Sequence, residues 1–461
     1  MTITTNPDTR RSTADSADND AERRGPLVRV IAGSLVTGIV IAGGLTLGVL
    51  SGAREHVVTG SALLGFAIGW TMLAVLSTRL TSQPQRWAFV PAAVMAVTGA
   101  GLITTAPSDG ALAAAAWVWS PIAIVLAAWS VRQVRRSLQS KARFWLVYPV
   151  LGALTVAAIG GGYQAARQRM DRNAFPMPGT SYDIGGRTLH LNCTGAGSPT
   201  VVVQSGLGET SPAWIRVRTA VGETSRVCAY DRAGQGWSGD APHAPDGLDV
   251  AADLHALLHV AGEAGPYVLV GHSTGGTYAL TYAAQYPSDV AGMVLLDSSS
   301  PYQFTALPKY KSQYAMSRSL YGVLPSLTRI GVGQLLPTTF FSALPSPEAE
   351  QVQAFARSPR GARNSRDEQS QLRAAFEQAQ ALTTLGAKPL VVVSSSVEMS
   401  TTPGWSAAQD QLAALSSNTS HRVAHGTHVA VVDDQLTART SAEAIRDVVV
   451  AVRTDSAVRT G

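Results

Sequence analysis

Hydrophobic positions along the chain fall into two regimes. Between residues 30 and 163 they come in long blocks, 30–50, 57–77, 87–105, 111–131 and 144–163, each apolar or small from end to end and free of internal charge. A helix that crosses a bilayer needs about 20 such residues. Five uncharged blocks of that length would be exceptional in the core of a soluble protein, so the pattern predicts an all-α transmembrane region of about five helices. Trp70, Trp87, Trp117, Trp119, Trp129 and Trp145 include several near block ends, where an aromatic belt belongs, although Trp119 sits deeper.

From about residue 180 the blocks shorten and alternate. Short apolar runs at 181–184, 187–193, 200–204, 226–230, 267–270, 290–296, 389–393 and 421–424 read as strands, and Gly185-Gly186 between the first two signals a hairpin. Helical patterns fall at 248–264, where Leu254, Leu257, Leu258 and Ala261 share a face, at 274–286 and at 441–452. Strand–helix alternation of this kind predicts an α/β domain with an open, mostly parallel sheet and helices on both faces. Residues 1–26 are polar without periodicity and read as a disordered tail. Residues 164–178, with Arg167, Arg169 and Arg172, read as a polar linker.

Charge adds an orientation. The chain has 36 Lys and Arg against 31 Asp and Glu, a net +5. That balance does not indicate nucleic acid, because Arg132, Arg135, Arg136, Lys141 and Arg143 flank apolar blocks as membrane anchors do. They share one side of the membrane with Arg79, Arg86 and the tail's Arg10, Arg11, Arg23, Arg24 and Arg29; the other two loops hold only Arg54 beside Glu55, and Asp109. The positive-inside rule puts the N-terminus in the cytoplasm, and five crossings then put the α/β domain outside it. The spans contain no Asp, Glu, Lys or His that would suggest an ion path, so anchoring is their expected role.

One stretch carries chemistry. The apolar run Tyr267-Val268-Leu269-Val270 leads into Gly271-His272-Ser273-Thr274-Gly275, and an Ala- and Tyr-rich helical pattern follows. This is G-x-S-x-G between a strand and a helix, the context a nucleophile elbow requires. Small residues two before and two after the serine permit the tight turn, which holds the hydroxyl at the positive end of a helix. Ser273 is the candidate nucleophile. His272, inside the elbow, reads as a packing residue. The sequence shows no metal motif, no phosphate-cradling loop and no internal repeat, and no cofactor is expected.

Four motifs in order, Ser205-Gly206-Leu207-Gly208, Tyr230-Asp231-Arg232-Ala233-Gly234, the elbow, and Gly426-Thr427-His428, make residues 182–453 resemble an α/β-hydrolase domain. The resemblance does not extend to the membrane region. It implies an eight-stranded, mostly parallel sheet within residues 179–461, with a helical lid at 298–386. Prolines 301, 308, 325, 337, 345 and 347 would break the lid into short helices. Tyr302, Phe304, Tyr310, Tyr314, Tyr321, Phe340 and Phe341 would build its core and in part line an apolar pocket. It also implies His428 as general base, ahead of His421 and His425, and an oxyanion hole from the backbone N–H groups of Leu207 and Thr274. Asp231 and Arg232 would brace the neighbouring loop. The triad acid stays open between Asp297, rigidly placed at a strand end and favoured, and Glu398, on a loop after the seventh strand. In such sheets the second and fourth strands are neighbours, so Cys193 and Cys228 either form a disulfide or remain two buried thiols.

The implied activity is that of a membrane-anchored serine hydrolase, esterase- or lipase-like, acting on an acyl substrate with an apolar portion. The alternatives are a non-catalytic receptor or scaffold on the same fold, an acyltransferase, or cofactor-free haloperoxidase-like chemistry. Dehalogenase and epoxide-hydrolase chemistry would need a carboxylate where Ser273 stands. The expected partners are the substrate and the lipid bilayer.

Overall fold

A computed structural model of the protein describes residues 27–139, 141, 143–335 and 341–459. The expected tail at 1–26 lies outside them, as do Pro337 and Phe340 of the expected lid. The chain divides into two compact units: one ends at Ala166 and takes in Arg329–Val332, and the other comprises the rest.

The first unit is helical. Its helices are α1 (Leu27–Val49), α2 (Glu55–Leu80), α3 (Arg86–Thr105), α4 (Asp109–Ser137) and α5 (Arg143–Ala174, counted in this unit as far as Ala166), each long and apolar enough to cross a membrane. Every apolar block of the sequence lies in one of them, save Leu50, which follows the end of α1. Small residues let α2 approach its neighbours closely, as membrane helices commonly do. A Cβ on Gly60 would lie 2.6 Å from the Gly99 oxygen. Trp70 and Trp87 meet edge to face at 5.6 Å. At the head of α2, the buried Glu55 carboxylate pairs with Arg329, whose other nitrogen donates to Asp109 at 2.6 Å.

One boundary differs from the expectation. Helix α5 continues to Ala174, so much of the segment read as a linker is helical. Polar residues end a membrane span but need not end a helix. Arg167 and Asp171, one turn apart at 3.0 Å, are the kind of pair that supports helix in water.

The second unit is built on one eight-stranded sheet. Its strands are β1 (Thr180–Asp183), β2 (Thr188–Thr194), β3 (Val201–Gln204), β4 (Val227–Asp231), β5 (Tyr267–His272), β6 (Val290–Leu296), β7 (Leu390–Ser395) and β8 (Thr419–Ala424). Their spatial order is β1-β2-β4-β3-β5-β6-β7-β8. β1 and β2 pair antiparallel, and β2 pairs antiparallel with β4; the remaining neighbours are parallel. Buried parallel strands need cover on both faces, and the alternation along each strand supplies two cores. Val201 and Val203 face a layer containing Trp214, Val217 of α6 (Ile215–Gly222) and Ile445 of α16 (Thr437–Thr454). Val202 faces the other, with Leu254 of α7 (Gly247–Val260), Leu280 of α8 (Thr274–Gln285) and Leu412 of α14 (Trp405–Ala413).

Between β6 and β7 the insertion, expected to form a lid, carries α9 (Gln303–Ala306), α10 (Tyr310–Arg329), α11 (Glu348–Ala356) and α12 (Pro359–Ala379). Two short helices, α13 (Ser396–Thr401) and α15 (Ala430–Asp433), follow β7 and β8 respectively. Cys193 and Cys228 are directly opposed in the β2–β4 register and joined as a disulfide.

Candidate active site

The elbow forms where β5 turns into α8. Ser273 sits between them at φ 55°, ψ −127°. A non-glycine residue held there stores about 1–3 kcal/mol of strain. The turn is affordable only because its flanks are bare: a Cβ on Gly275 would lie 2.1 Å from the Gln204 oxygen. Ser273 is further tied down through its own carbonyl, which accepts the Ser299 N–H at 2.9 Å.

Asp297 follows β6 directly, itself at φ 40°. Its Oδ2 accepts the Nδ1–H of His428 at 2.6 Å. Its Oδ1 is occupied separately by the Ser395 N–H at 3.0 Å and the Trp405 Nε1–H at 2.8 Å. Three donors from three elements thus hold a fully buried carboxylate in one orientation. His428 lies on the loop after β8, part exposed, with its ring 4.7 Å from that of His272, the residue before Ser273. Glu398 is elsewhere: it sits in α13 and its carboxylate accepts the Thr402 hydroxyl at 2.7 Å. Of the two candidate acids, the geometry brings Asp297 to His428.

The turn after β3 is organised by two buried carboxylates. Glu209 accepts the Gly206 N–H at 2.6 Å, and Glu368 of α12 accepts the Gly208 N–H at 3.1 Å. Among the described residues no hydrogen bond claims the N–H of Leu207, between them, or that of Thr274. Arg232 locks the same turn, donating to the carbonyls of Ser205 at 2.6 Å and Gly206 at 2.8 Å while pairing with Glu368. Asp231 is engaged by Ser211 N–H at 2.7 Å and by His190 at 2.8 Å. Burial alone would raise its carboxyl, but these bonds and the His190 charge outweigh that and hold it below the usual range. Both residues brace the site.

Of the aromatics in the insertion, Phe304, Tyr310 and Tyr314 pack on one another, Phe341 joins the core layer of Trp214, and Tyr302 is exposed. Phe304 meets Tyr310 at 4.9 Å, Tyr314 at 5.0 Å and Phe376 at 5.7 Å, and Phe341 is fully buried. His425 contributes its backbone oxygen to Thr437.

His421 belongs to a second Ser–His–Asp constellation, with Ser394 Oγ at 2.8 Å from Nε2 and Asp410 at 2.9 Å from Nδ1. Ser394 lies fully buried within a regular, paired strand, without an elbow, so this arrangement ties β7, β8 and α14 together and offers no reachable nucleophile.

Sequence reasoning missed Glu209, Glu368, Trp405 and Ser395. Glu209 directly follows the Ser205–Gly208 motif without being part of it, and Glu368 has no motif around it. Trp405 follows a Pro-Gly pair and nothing in its neighbourhood announces a bond to Asp297.

Residues 199–435 match the family described as alpha/beta hydrolase fold. Curated relatives include an uncharacterized protein of Schizosaccharomyces pombe, 28% identical over 255 residues, covering 49% of this chain and 44% of that protein. An AB hydrolase superfamily protein of Gibberella zeae is 30% identical over 105 residues, 22% of this chain and 33% of that one. The chain therefore spans less than half the length of these relatives. Among solved structures, a thermophilic esterase from Thermogutta terrifontis aligns at 21% identity, covering 59% of this chain and 97% of that one, with a TM-score of 0.44.

Proposed function

The chain belongs to the alpha/beta hydrolase fold family, and from that premise we propose that it is a membrane-anchored serine hydrolase of acyl substrates. The observation that carries the reading is the 2.6 Å bond from His428 Nδ1 to Asp297, whose other oxygen is fixed by Ser395 and Trp405. In the neutral imidazole, giving the Nδ1–H to this carboxylate places the lone pair on Nε2, ready to act as a base toward the serine on the neighbouring elbow.

Ser273 Oγ attacks the carbonyl carbon of an ester or related acyl group, and His428 Nε2 takes its proton. The negative charge that develops on the carbonyl oxygen is met by the N–H groups of Leu207 and Thr274, donors of a kind whose removal costs about a hundred- to thousandfold in rate. His428 returns the proton to the leaving oxygen as its bond to the acyl carbon breaks. Water, deprotonated by His428, then cleaves the acyl-enzyme, releasing the acid and regenerating Ser273.

The basic-residue asymmetry supports an orientation with the N-terminus cytoplasmic and the hydrolase domain outside. A disulfide between Cys193 and Cys228 suits an oxidising compartment. An apolar acyl portion is the expected substrate feature, to be read from a series of p-nitrophenyl esters of increasing chain length.

The deciding experiment is labelling with a fluorophosphonate probe. The full chain should be labelled at one serine, and Ser273→Ala should abolish the label while leaving the protein folded. Label retained in that variant, or absent from the wild type, would overturn the reading in favour of a non-catalytic ligand-binding protein or of different chemistry.

A further inference from the structure

Beside the elbow lies a second acid–imidazole pair that the reaction above does not use. Glu209 and His272 are both buried, at 2% and 0% exposure. One Glu209 oxygen accepts the Gly206 N–H and the other meets His272 Nδ1. His272 Nε2 lies 2.9 Å from the main-chain oxygen of His428. Both ring nitrogens therefore face oxygens that accept, one of a carboxylate and one of a carbonyl. A neutral imidazole carries one N–H, so making both bonds requires one proton more than a carboxylate and a neutral ring hold together.

The surroundings favour keeping that proton. Burial alone would raise the Glu209 carboxyl and lower the His272 imidazole. The charge and hydrogen bond each presents to the other outweigh burial, aided by the Gly206 N–H and the His428 carbonyl. Glu209 is thereby held below its ordinary value and His272 above. The charged and titratable groups facing His272 are Glu209 from the turn after β3, Asp297 from the end of β6, His428 from the loop after β8 and Asp433 from α15.

We propose that Glu209 and His272 are positioning residues that register the two halves of the catalytic machinery against each other: the Glu209 carboxylate fixes the oxyanion turn at Gly206, the His272 ring fixes the His428 loop by its backbone, and one shared proton keeps both bonds made. Losing that proton leaves a single N–H for two acceptors. The His272 ring then lets go of either Glu209, with the turn it holds, or the histidine loop, and the N–H groups and the base are no longer registered on one carbonyl. Catalysis accordingly falls on the alkaline side for a reason separate from the chemistry of His428 itself.

The inference rests on Ser273 being the nucleophile, and the test separates the two. The full chain in detergent micelles is titrated with fluorophosphonate, and kcat for a p-nitrophenyl ester is expressed per labelled site across pH, for wild type, Glu209→Gln, His272→Ala and His272→Gln. Counting by labelled site removes misfolded molecules, and Glu209→Gln is nearly isosteric. His272→Ala is expected to lower kcat per site at least tenfold with KM within about twofold. Glu209→Gln, lacking the charge that retains the proton, moves the alkaline limb to lower pH. His272→Gln, which can donate to the His428 carbonyl without titrating, recovers part of kcat. Unchanged kcat per site and an unmoved alkaline limb in both Glu209→Gln and His272→Ala would overturn the inference and leave the serine-hydrolase reading standing. A wild type that takes up no label overturns both, before any variant is compared.

Discussion

Replacing Asp297 by Asn tests the site at its most constrained atom. The amide has two ways to sit. With its nitrogen toward Ser395 N–H and Trp405 Nε1–H, it would face two donors and lose both hydrogen bonds that Oδ1 accepts. Each buried donor left unsatisfied costs about 1–3 kcal/mol, so this orientation is disfavoured by at least about 2 kcal/mol, roughly thirtyfold. The amide oxygen therefore stays on those donors, and the nitrogen takes the Oδ2 position beside His428 Nδ1. A donor there forces Nδ1 to accept, which places the ring's one proton on Nε2, where it cannot receive the proton of Ser273. A wrong tautomer of this kind costs about 10⁴-fold in kcat, equivalent to about 5.5 kcal/mol in the barrier. The assay is kcat on a p-nitrophenyl ester, with far-UV circular dichroism to establish that the fold is kept. Glu398→Gln, at a carboxylate bonded to Thr402 Oγ1, is the control and should stay near wild type. An Asp297→Asn enzyme within tenfold of wild type, or a Glu398→Gln enzyme equally crippled, would refute the reasoning.

Three further outcomes are expected. Arg232→Met removes the guanidinium from the buried Glu368 carboxylate, and breaking one partner of a buried pair costs about 3–5 kcal/mol; because Gln235 and Gly208 still donate to Glu368, the lower end is expected in denaturant unfolding, and a loss below about 1 kcal/mol would contradict the role given to the pair. Under denaturing, non-reducing conditions neither Cys193 nor Cys228 should be alkylated, and reduction should remove about 4 kcal/mol of stability for a 35-residue separation; alkylation of both thiols without reductant excludes the bond. A phosphatase fused after Arg172 should be active outside the cytoplasm, whereas activity of a cytoplasmic reporter at that position would reverse the orientation.

What was legible in the chain followed from how local the physical cause is. The elbow could be read because its glycines, its serine and the flanking strand and helix lie within one stretch and are required by the same turn. The apolar blocks could be read because length against bilayer thickness is a property of consecutive residues. The choice between Asp297 and Glu398 could not be closed by spacing, since both follow neighbouring strands; it depends on donors from Ser395 and Trp405 that arrive from another part of the chain. Glu209 and Glu368 were invisible for the same reason. Each acquires meaning only when the turn after β3 is folded against β5 and α12. The end of α5 was misplaced because hydropathy reports where a lipid-facing surface stops, while the helix continues on hydrogen bonds and Arg167–Asp171 pairing.

Glu368 has a consequence for anyone who would exchange modules between hydrolases. It lies 160 residues from Gly208 in sequence and belongs to the insertion between β6 and β7, the part most naturally swapped to alter substrate preference. Yet its carboxylate holds the N–H next to that of Leu207, the proposed oxyanion donor, and balances Arg232. A transplanted insertion without an acid at this point would leave Arg232 buried without its counter-ion and free the turn at Gly208. Such a chimera would lose reactivity toward every ester, small or large, and the loss would be mistaken for a narrowed specificity. Grafts that carry an equivalent carboxylate, or that end before α12, should stay reactive and reveal what the insertion itself selects.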